Sequence, residues 1–330
     1  MGLLSRVIDA GREYRNPLAE VEDGLFTGIG SGAAKLTQFW MLLVLASLIA
    51  AGGVVGDSTP AVIGAMIVAP LATPIYGVAL ATVVGSRRDL RDALLLLVAG
   101  IAVNVLIGML VAFVTFDRAP LDANPQIVGR TAPTVLDLMV AVTVGVAGSV
   151  ALVRRDIANI VAGVAIAISL VPVLAVVGIT LGSGRLDLAW GALILFLTNA
   201  AAIIVAGVVV FTAAGYQRDA AARGVHAGRR AKVLIAVFVV ALVVPLGLTS
   251  VRTYRYQTWI GRTDEAARAW VDGTDWRVTD VYQAADEIVL VVIGPDDPPP
   301  IDALRDAVRR WVPGHVRVEV VEDSGTTTEL

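Results

Sequence analysis

Seven long apolar stretches, none containing an Asp, Glu, Lys or Arg, constrain this chain more than any other feature. They are Leu36–Val55, Ala61–Val84, Ala93–Phe116, Leu138–Val153, Ile157–Leu181, Leu188–Ala214 and Val233–Ser250. A helix needs about 20 apolar residues to cross a bilayer core. The chain is 56% hydrophobic and 17% charged, whereas soluble domains are about a quarter charged. The sequence therefore predicts a polytopic α-helical membrane protein with about seven transmembrane helices. The fourth stretch is short, and we expect its helix to tilt or to extend into Thr134–Asp137.

Basic residues are distributed unequally among the loops between these stretches. The N-terminal segment and the loops after the second, fourth and sixth stretches contain Arg6, Arg12, Arg15, Lys35, Arg87, Arg88, Arg91, Arg154, Arg155, Arg218, Arg223, Arg229, Arg230 and Lys232. The remaining loops contain only Arg118, Arg130 and Arg185. Cytoplasmic loops have the excess of Lys and Arg. We therefore expect a multi-pass protein of the plasma membrane with a cytoplasmic N-terminus and an extracytoplasmic segment after Ser250.

Two proline-containing segments, Val62–Gly85 and Val161–Gly182, look like copies of one another about 98 residues apart. Pro74 in the first falls beside Pro172 in the second. Each copy contains three apolar stretches, and because three is an odd number, the second copy enters the membrane from the opposite side. The sequence therefore predicts two inverted three-helix repeats, each with a proline-broken second helix. This arrangement is typical of secondary transporters.

The two predicted breaks define the candidate binding site. A proline lacks an N–H group, so carbonyl groups near it must find partners other than the helix and lipid. In inverted-repeat transporters such breaks meet near the membrane midplane. The candidate substrate-binding residues are Pro70, Thr73, Pro74, Tyr76, Asn104, Ser169, Pro172 and Asn199. Two alternatives stay open: each proline also fits a simple kink, and each asparagine also fits an interhelical hydrogen bond worth about 0.6 to 2 kcal/mol.

The chemistry available within the spans is limited to uncharged groups. Asp57 and Asp156 precede the broken helices at matching positions, which predicts helix N-caps rather than proton carriers. The chain has no cysteine and only two histidines, so we expect no metal site, no cofactor and no enzymatic activity. Its net charge of −3 gives no case for nucleic-acid binding. Small residues such as Ala50–Gly53 favour close helix packing within one chain or in a homo-oligomer embedded in the lipid bilayer.

The predicted domains follow from these patterns. Residues 1–35 form a cytoplasmic or interfacial segment that fits either a helix on the membrane surface or a helix packed on the cytoplasmic loops. The transmembrane domain covers 36–250, with repeat one at 36–116, repeat two at 134–214 and a seventh helix at 233–250. Residues 263–323 predict an extracytoplasmic αββαβ domain, with helical signals in Glu265–Val271 and Ile301–Trp311 and strand signals in Trp276–Tyr282, Glu287–Ile293 and Val316–Val321. Residues 324–330 form a tail.

Four motifs resemble the bacterial and archaeal membrane family called domain of unknown function 389. They are Val62–Ile75, Ala132–Leu138, Val161–Ala167 with Leu170–Pro172, and Leu195–Asn199. Ala69 stands where relatives more often have serine, and Val173 where a second proline is frequent. The resemblance implies a membrane fold of this kind and implies no activity.

These observations lead to one main functional hypothesis. It is a transporter or channel for a small solute or ion, with its site between the broken helices 61–84 and 157–181. The alternative is an oligomeric membrane scaffold or sensor that presents the C-terminal α/β domain.

Overall fold

A computed structural model describes residues 14–26, 32–115, 121, 124–131, 133–160, 170–224, 255, 258–284, 287–294, 298–314 and 316–323. The chain divides into two compact units, Met1–Leu246 and Gly247–Leu330, and each has its own hydrophobic core. Ser169, most of the first half of the fifth predicted span and the whole seventh span (Val233–Ser250) lie outside the described residues.

The described part of the first unit is helical. Its α-helices are α1 (Leu18–Leu25), α2 (Gly32–Val55), α3 (Thr59–Val68), α4 (Ala72–Val84), α5 (Arg87–Thr115), α6 (Pro125–Thr131), α7 (Val135–Val153), α8 (Val171–Gly182), α9 (Leu186–Ala213) and α10 (Tyr216–Ala222). A 3₁₀ helix, Arg155–Ile160, follows α7.

Among the described residues, four helices are long and apolar enough to cross a membrane, namely α2, α5, α7 and α9. The bent pair α3 and α4 adds a fifth span if it is counted as one. Large apolar side chains cover the outer faces of these helices; on α5, for example, Leu95, Val98 and Phe113 are each at least 60% exposed. Apolar surface of this extent is typical of a lipid-facing protein. The membrane character predicted from the sequence is therefore confirmed.

The short fourth span extends in the direction that the sequence predicts. Helix α7 begins at Val135 and is capped by Thr134. The Thr134 hydroxyl accepts a hydrogen bond from the Asp137 N–H, and the Asp137 carboxylate accepts one from the Thr134 N–H. This reciprocal capping box satisfies two N–H groups that a helix start otherwise leaves free.

The predicted break in the second span is present between α3 and α4, whose axes differ by 43°. Ala69 ends α3 in an extended conformation, and Pro70 follows without an N–H group to continue the helical ladder. Pro74 lies in the first turn of α4 and Pro172 in the first turn of α8. A first-turn N–H has no partner within its own helix, so both prolines are compatible with a helix start. The predicted break at Pro172 stays a prediction, because residues 161–169 lie outside the described residues.

Glycines allow the helices of the first unit to pack closely. A Cβ atom added to Gly178 of α8 would lie 2.2 Å from the carbonyl oxygen of Val105 on α5. Further along, a Cβ atom added to Gly182 would lie 2.9 Å from the Cβ atom of Ala112. Residue numbers rise together along both helices, so α5 and α8 run parallel.

The apolar face of helix α1 packs on α4. Leu18, Val21, Leu25 and the following Phe26 are all buried. A Cβ atom added to Gly77 of α4 would lie 3.5 Å from the Leu25 carbonyl oxygen. The described part of the N-terminal segment is thus a short helix packed on α4, and its position relative to the membrane stays a prediction.

The second unit contains a small sheet covered by helices, in the predicted αββαβ order. Residues 258–271 are helical, and the other elements are β1 (Arg277–Ala284), β2 (Glu287–Ile293), α11 (Ile301–Arg309) and β3 (Arg317–Asp323). The strand order is β1-β2-β3, with β1 antiparallel and β3 parallel to the central β2. Ile288, Leu290 and Val292 alternate along β2 into the core.

Candidate functional site

A cleft of about 390 Å³ lies beside the break between α3 and α4. Two of the predicted site residues, Pro70 and Thr73, line its wall. The other lining residues are Asp23, Gly24, Leu25, Phe26, Lys35, Gln38, Phe39, Leu42 and Val68. Lys35 Nζ lies 2.7 Å from the Asp23 carboxylate. The cleft therefore combines an ion pair with an apolar wall that reaches the broken helix.

Other predicted site residues near the breaks have different surroundings. Pro74 and Pro172 are buried within the first turns of α4 and α8. Tyr76 is 4% exposed, and its hydroxyl donates to the carbonyl oxygens of Val144 and Gly145 on α7 at 3.5 Å. These three residues do not line the cleft.

Asn104 occupies the buried face of α5, between the break and α8. One turn before it, a Cβ atom added to Gly100 would lie 3.0 Å from the Leu71 side chain; one turn after it, a Cβ atom added to Gly108 would lie 2.7 Å from the Ala175 carbonyl oxygen. Residues four apart share a helix face, so Asn104 lies between these two contacts. Its side chain is fully buried, and neither Oδ1 nor Nδ2 makes a hydrogen bond.

Buried hydroxyl groups in the same spans differ from Asn104 because their own helices satisfy them. Each donates to the carbonyl oxygen four residues earlier at 2.6 to 2.7 Å; they belong to Ser47, Thr82, Ser149, Thr180 and Thr198. Such back-bonding leaves no need for an external donor or acceptor. The unpartnered amide of Asn104 therefore stands out among the described polar groups of the membrane interior.

Asn199 has a weaker version of this property. It is half-buried on α9, and only its Oδ1 atom is both buried and without a partner. Gly207 of α9 contacts Ala79 of α4, and Gly108 of α5 contacts Gly178 of α8. Asn199 lies eight residues before Gly207, whereas Asn104 lies only four residues before Gly108. Relative to these two helix contacts, the asparagines are therefore offset by one helical turn.

The predicted caps need correction. Ser58, and not Asp57, is the N-cap of α3, because its hydroxyl accepts a hydrogen bond from the Ala61 N–H. Asp57 lies one residue too early and has a left-handed backbone with φ of 46°. Asp156 lies in the first turn of the 3₁₀ helix and pairs with Arg154 at 2.5 Å. The hydrogen bond from Arg154 lowers the pKa of the Asp156 carboxyl.

Residues 14–26, 152–156 and 216–223 meet at one end of the first unit, which we call the N-terminal face. Arg155 pairs with Glu20 at 2.6 Å and Arg223 with Glu22 at 2.9 Å. Arg15 pairs with Asp219. Its guanidinium also lies 4.6 Å from the ring centre of Tyr216. Burial raises the pKa of the Tyr216 hydroxyl to about 12. These ion pairs connect α1 to loops that are distant in sequence.

A second group of loops meets elsewhere in the first unit, at residues 54–59, 121–131 and 179–191; we call it the loop face. Asn124 Nδ2 donates to the Val54 carbonyl oxygen at 2.8 Å, and Gln126 Nε2 to the Thr59 hydroxyl at 2.9 Å. Arg130 donates to Gln126, and burial lowers the pKa of its guanidinium. A cavity of about 190 Å³ on this face is lined in part by Asn124 and Ser183.

The described part of the first unit is a polytopic α-helical membrane domain. Its apolar helices, one of which is broken, pack closely at glycines, and a buried amide lies among them. Residues 66–205 match the family described as Domain of unknown function (DUF389), so the predicted resemblance is confirmed. An uncharacterized protein of Methanocaldococcus jannaschii is 32% identical over 209 residues, which are 63% of this chain. The matched region spans 64% of the length of that relative. No solved structure matches the chain. In the described ranges no cluster of His, Cys, Asp and Glu could hold a metal ion.

Proposed function

We propose that this protein is a transporter or channel for a small solute or ion, with its site at Asn104 between the Pro70 break and α8. The unpartnered amide of Asn104 is the observation on which this proposal depends. A buried polar group without a hydrogen bond destabilises a protein by about 1 to 3 kcal/mol. A substrate that bonds to the amide as it passes would offset that loss.

Matching helix crossings support the proposed inverted repeats. In one crossing, Gly108 of α5 meets Gly178 of α8; in the other, Gly207 of α9 meets Ala79 of α4. Gly207 follows Gly108 by 99 residues, and Gly178 follows Ala79 by the same number. A two-fold relation between the repeats would produce this exchange, in which the third helix of each repeat packs on the second helix of the other.

The grouping of the loops supports the proposed topology, with the N-terminus in the cytoplasm. Three segments rich in basic residues, around Arg15, Arg155 and Arg223, are joined by the ion pairs of the N-terminal face. Three segments expected outside the cytoplasm meet at the loop face. The parallel course of α5 and α8 also fits this topology, because both would cross the membrane in the same direction as the third and fifth spans.

The cleft supports a route to the site from the N-terminal face, because Asp23, Gly24, Leu25 and Phe26 line it. It reaches Pro70 and Thr73 and is lined by Phe39. The Phe39 ring lies 3.4 Å from the position of a Cβ atom on Gly100, one turn before Asn104. Phe39 and the buried Leu71 thus separate the cleft from Asn104, as expected for a closed pathway.

The test is reconstitution of the full chain into liposomes with a panel of ions and neutral solutes. We expect flux above that of protein-free liposomes, and we expect Asn104→Leu to reduce it about tenfold. Ser47→Ala is the matched control because Ser47 is equally buried but bonds to its own helix. Full activity in a correctly folded Asn104→Leu variant would contradict the proposed site.

A further inference from the structure

We infer that the Asn104 site takes a small uncharged molecule that has both a hydrogen-bond donor and an acceptor, such as a hydroxyl or amide compound, and not a bare ion. This inference rests on the proposed function and names its substrate class. The Asn104 side chain ends in two different polar atoms. Asn104 Oδ1 accepts hydrogen bonds and Nδ2 donates them, and both atoms are buried without a partner.

An ion could satisfy only one end of this amide. A cation would bind Oδ1 and leave the Nδ2 hydrogens unpaired, and an anion would do the reverse. A hydroxyl group or a second amide offers a donor and an acceptor together. Only a ligand of this kind removes both unsatisfied groups at once.

Among the described residues, nothing around Asn104 supplies the charge that would balance a dehydrated ion. None of the seven apolar stretches contains an Asp, Glu, Lys or Arg to balance an ionic charge, and an unbalanced charge is unfavourable in a medium of low dielectric constant. The buried hydroxyl groups of these helices, as far as the structure describes them, bond to their own backbones. Such hydroxyls cannot readily replace the hydration shell of an ion.

The same surroundings limit the size of the ligand. The contacts of Gly100 with Leu71 and of Gly108 with Ala175 enclose Asn104 from both directions along α5. The Leu71 side chain and the Ala175 backbone carbonyl therefore limit the room beside the amide, and the ligand must be compact. Glycerol and urea are suitable probes, because each is small, uncharged and rich in both donors and acceptors.

The experiment compares two kinds of flux in the same proteoliposomes. Stopped-flow light scattering measures glycerol and urea entry, and tracer flux measures potassium, sodium and chloride. We expect the full chain to raise glycerol or urea permeability at least tenfold above protein-free liposomes, with ion flux equal to that of protein-free liposomes. Asn104→Gln, which keeps both ends, should retain most of the activity. Asn104→Met and Asn104→Leu, which lose both the donor and the acceptor, should lose it.

The outcomes separate this inference from the proposed function. Ion flux that depends on Asn104, with or without neutral-solute flux, would overturn the inference and leave a transport function standing. No flux of any probe above protein-free liposomes would overturn the proposed function itself. Size-exclusion profiles and melting temperatures establish whether each variant folds. If Asn104→Leu does not fold, the contrast between Asn104→Gln and Asn104→Met decides, and equal activity in those two variants would overturn the inference.

Discussion

At the scale of single residues, Gly178 controls how closely α5 and α8 approach. We predict that Gly178→Ala destabilises the protein, because the new methyl group would lie 2.2 Å from the Val105 carbonyl oxygen and 2.8 Å from Gly108 Cα. Overpacking of a rigid contact costs about 1 to 3 kcal/mol, which lowers the melting temperature by about 2 to 4 °C for each kcal/mol in a unit of this size. Thermal unfolding of the purified protein measures the change.

Gly52→Ala provides the matched control for that substitution. Gly52 lies on the exposed side of α2 with no atom within 4 Å of an added Cβ. Alanine favours a helix over glycine by about 0.5 to 1 kcal/mol, so this variant should melt at the same temperature or slightly higher. An equal melting temperature for Gly178→Ala and the original chain would show that the crossing can relax.

The sequence identifies some individual residues and misses others for physical reasons. Pro70 is recognisable because a proline inside an apolar stretch removes a helical hydrogen bond. Asn104 is recognisable in the sequence as a polar residue within an apolar stretch. Only the absence of a hydrogen bond to its side chain distinguishes the role of ligand from that of an interhelical hydrogen bond. The N-cap of α3 is harder to predict, because Asp57 and Ser58 are adjacent and both residue types suit the position. The left-handed backbone at Asp57 decides in favour of Ser58. The chain has 32 glycines, and no local pattern indicates which of them meet.

At the scale of elements, α2 contributes the side chain that separates the cleft from Asn104. We predict that Phe39→Ala increases solute flux, because it removes the ring that fills the space between the cleft and Gly100. The variant should also be less stable by about 3 to 5 kcal/mol, as expected when a buried aromatic ring is removed. The liposome assay measures the first effect and thermal unfolding the second.

Met41→Ala is the control for this prediction, since Met41 is 56% exposed on the outer side of the same helix. It should leave flux unchanged. A folded Phe39→Ala variant with unchanged or reduced flux would mean that the ring does not obstruct the pathway.

The existence of most elements follows from the sequence, whereas their partners do not. Hydropathy locates α2, α5, α7 and α9 because a span must be continuously apolar. In the C-terminal unit, alternation of apolar and polar residues predicts the strands, and apolar residues at helical spacing predict the helices. Pro172 lies inside the first turn of α8, where a missing N–H has no consequence, and the predicted break there stays a prediction because residues 161–169 lie outside the described residues. The packing of α8 on α5 depends on glycines about 70 residues apart, which local periodicity cannot reveal.

At the scale of the whole molecule, exposed ion pairs attach α1 to the rest of the N-terminal face. Each such pair is worth about 0.2 to 1 kcal/mol, so we predict that Glu20→Gln combined with Glu22→Gln loosens α1 without unfolding the protein. Because the chain has no cysteine, Thr73→Cys can report on the cleft. Its reaction with a membrane-impermeant maleimide should become several-fold faster in the double variant, and only when the reagent is added to inside-out vesicles.

Asp302→Asn is the control, because it removes a surface ion pair with Arg305 that belongs to the second unit. The rate of Thr73→Cys modification should not respond to it. Modification from the extracytoplasmic side alone would contradict the proposed orientation, and an unchanged rate in the double variant would show that α1 does not limit entry to the cleft.

The division into two units allows the transporter and sensor hypotheses to be separated by truncation. We predict that a chain ending at Thr263 retains solute flux, because the described core of the second unit, from Ala267 to Val316, contributes no residue to the core of the first. The site at Asn104, the break at Pro70 and the glycine crossings all lie within the first unit. Liposome flux of the truncated and full chains, at equal protein density, measures the outcome. A truncated protein that inserts and melts normally but has no flux would mean that the C-terminal unit is required for activity, as the sensor hypothesis expects.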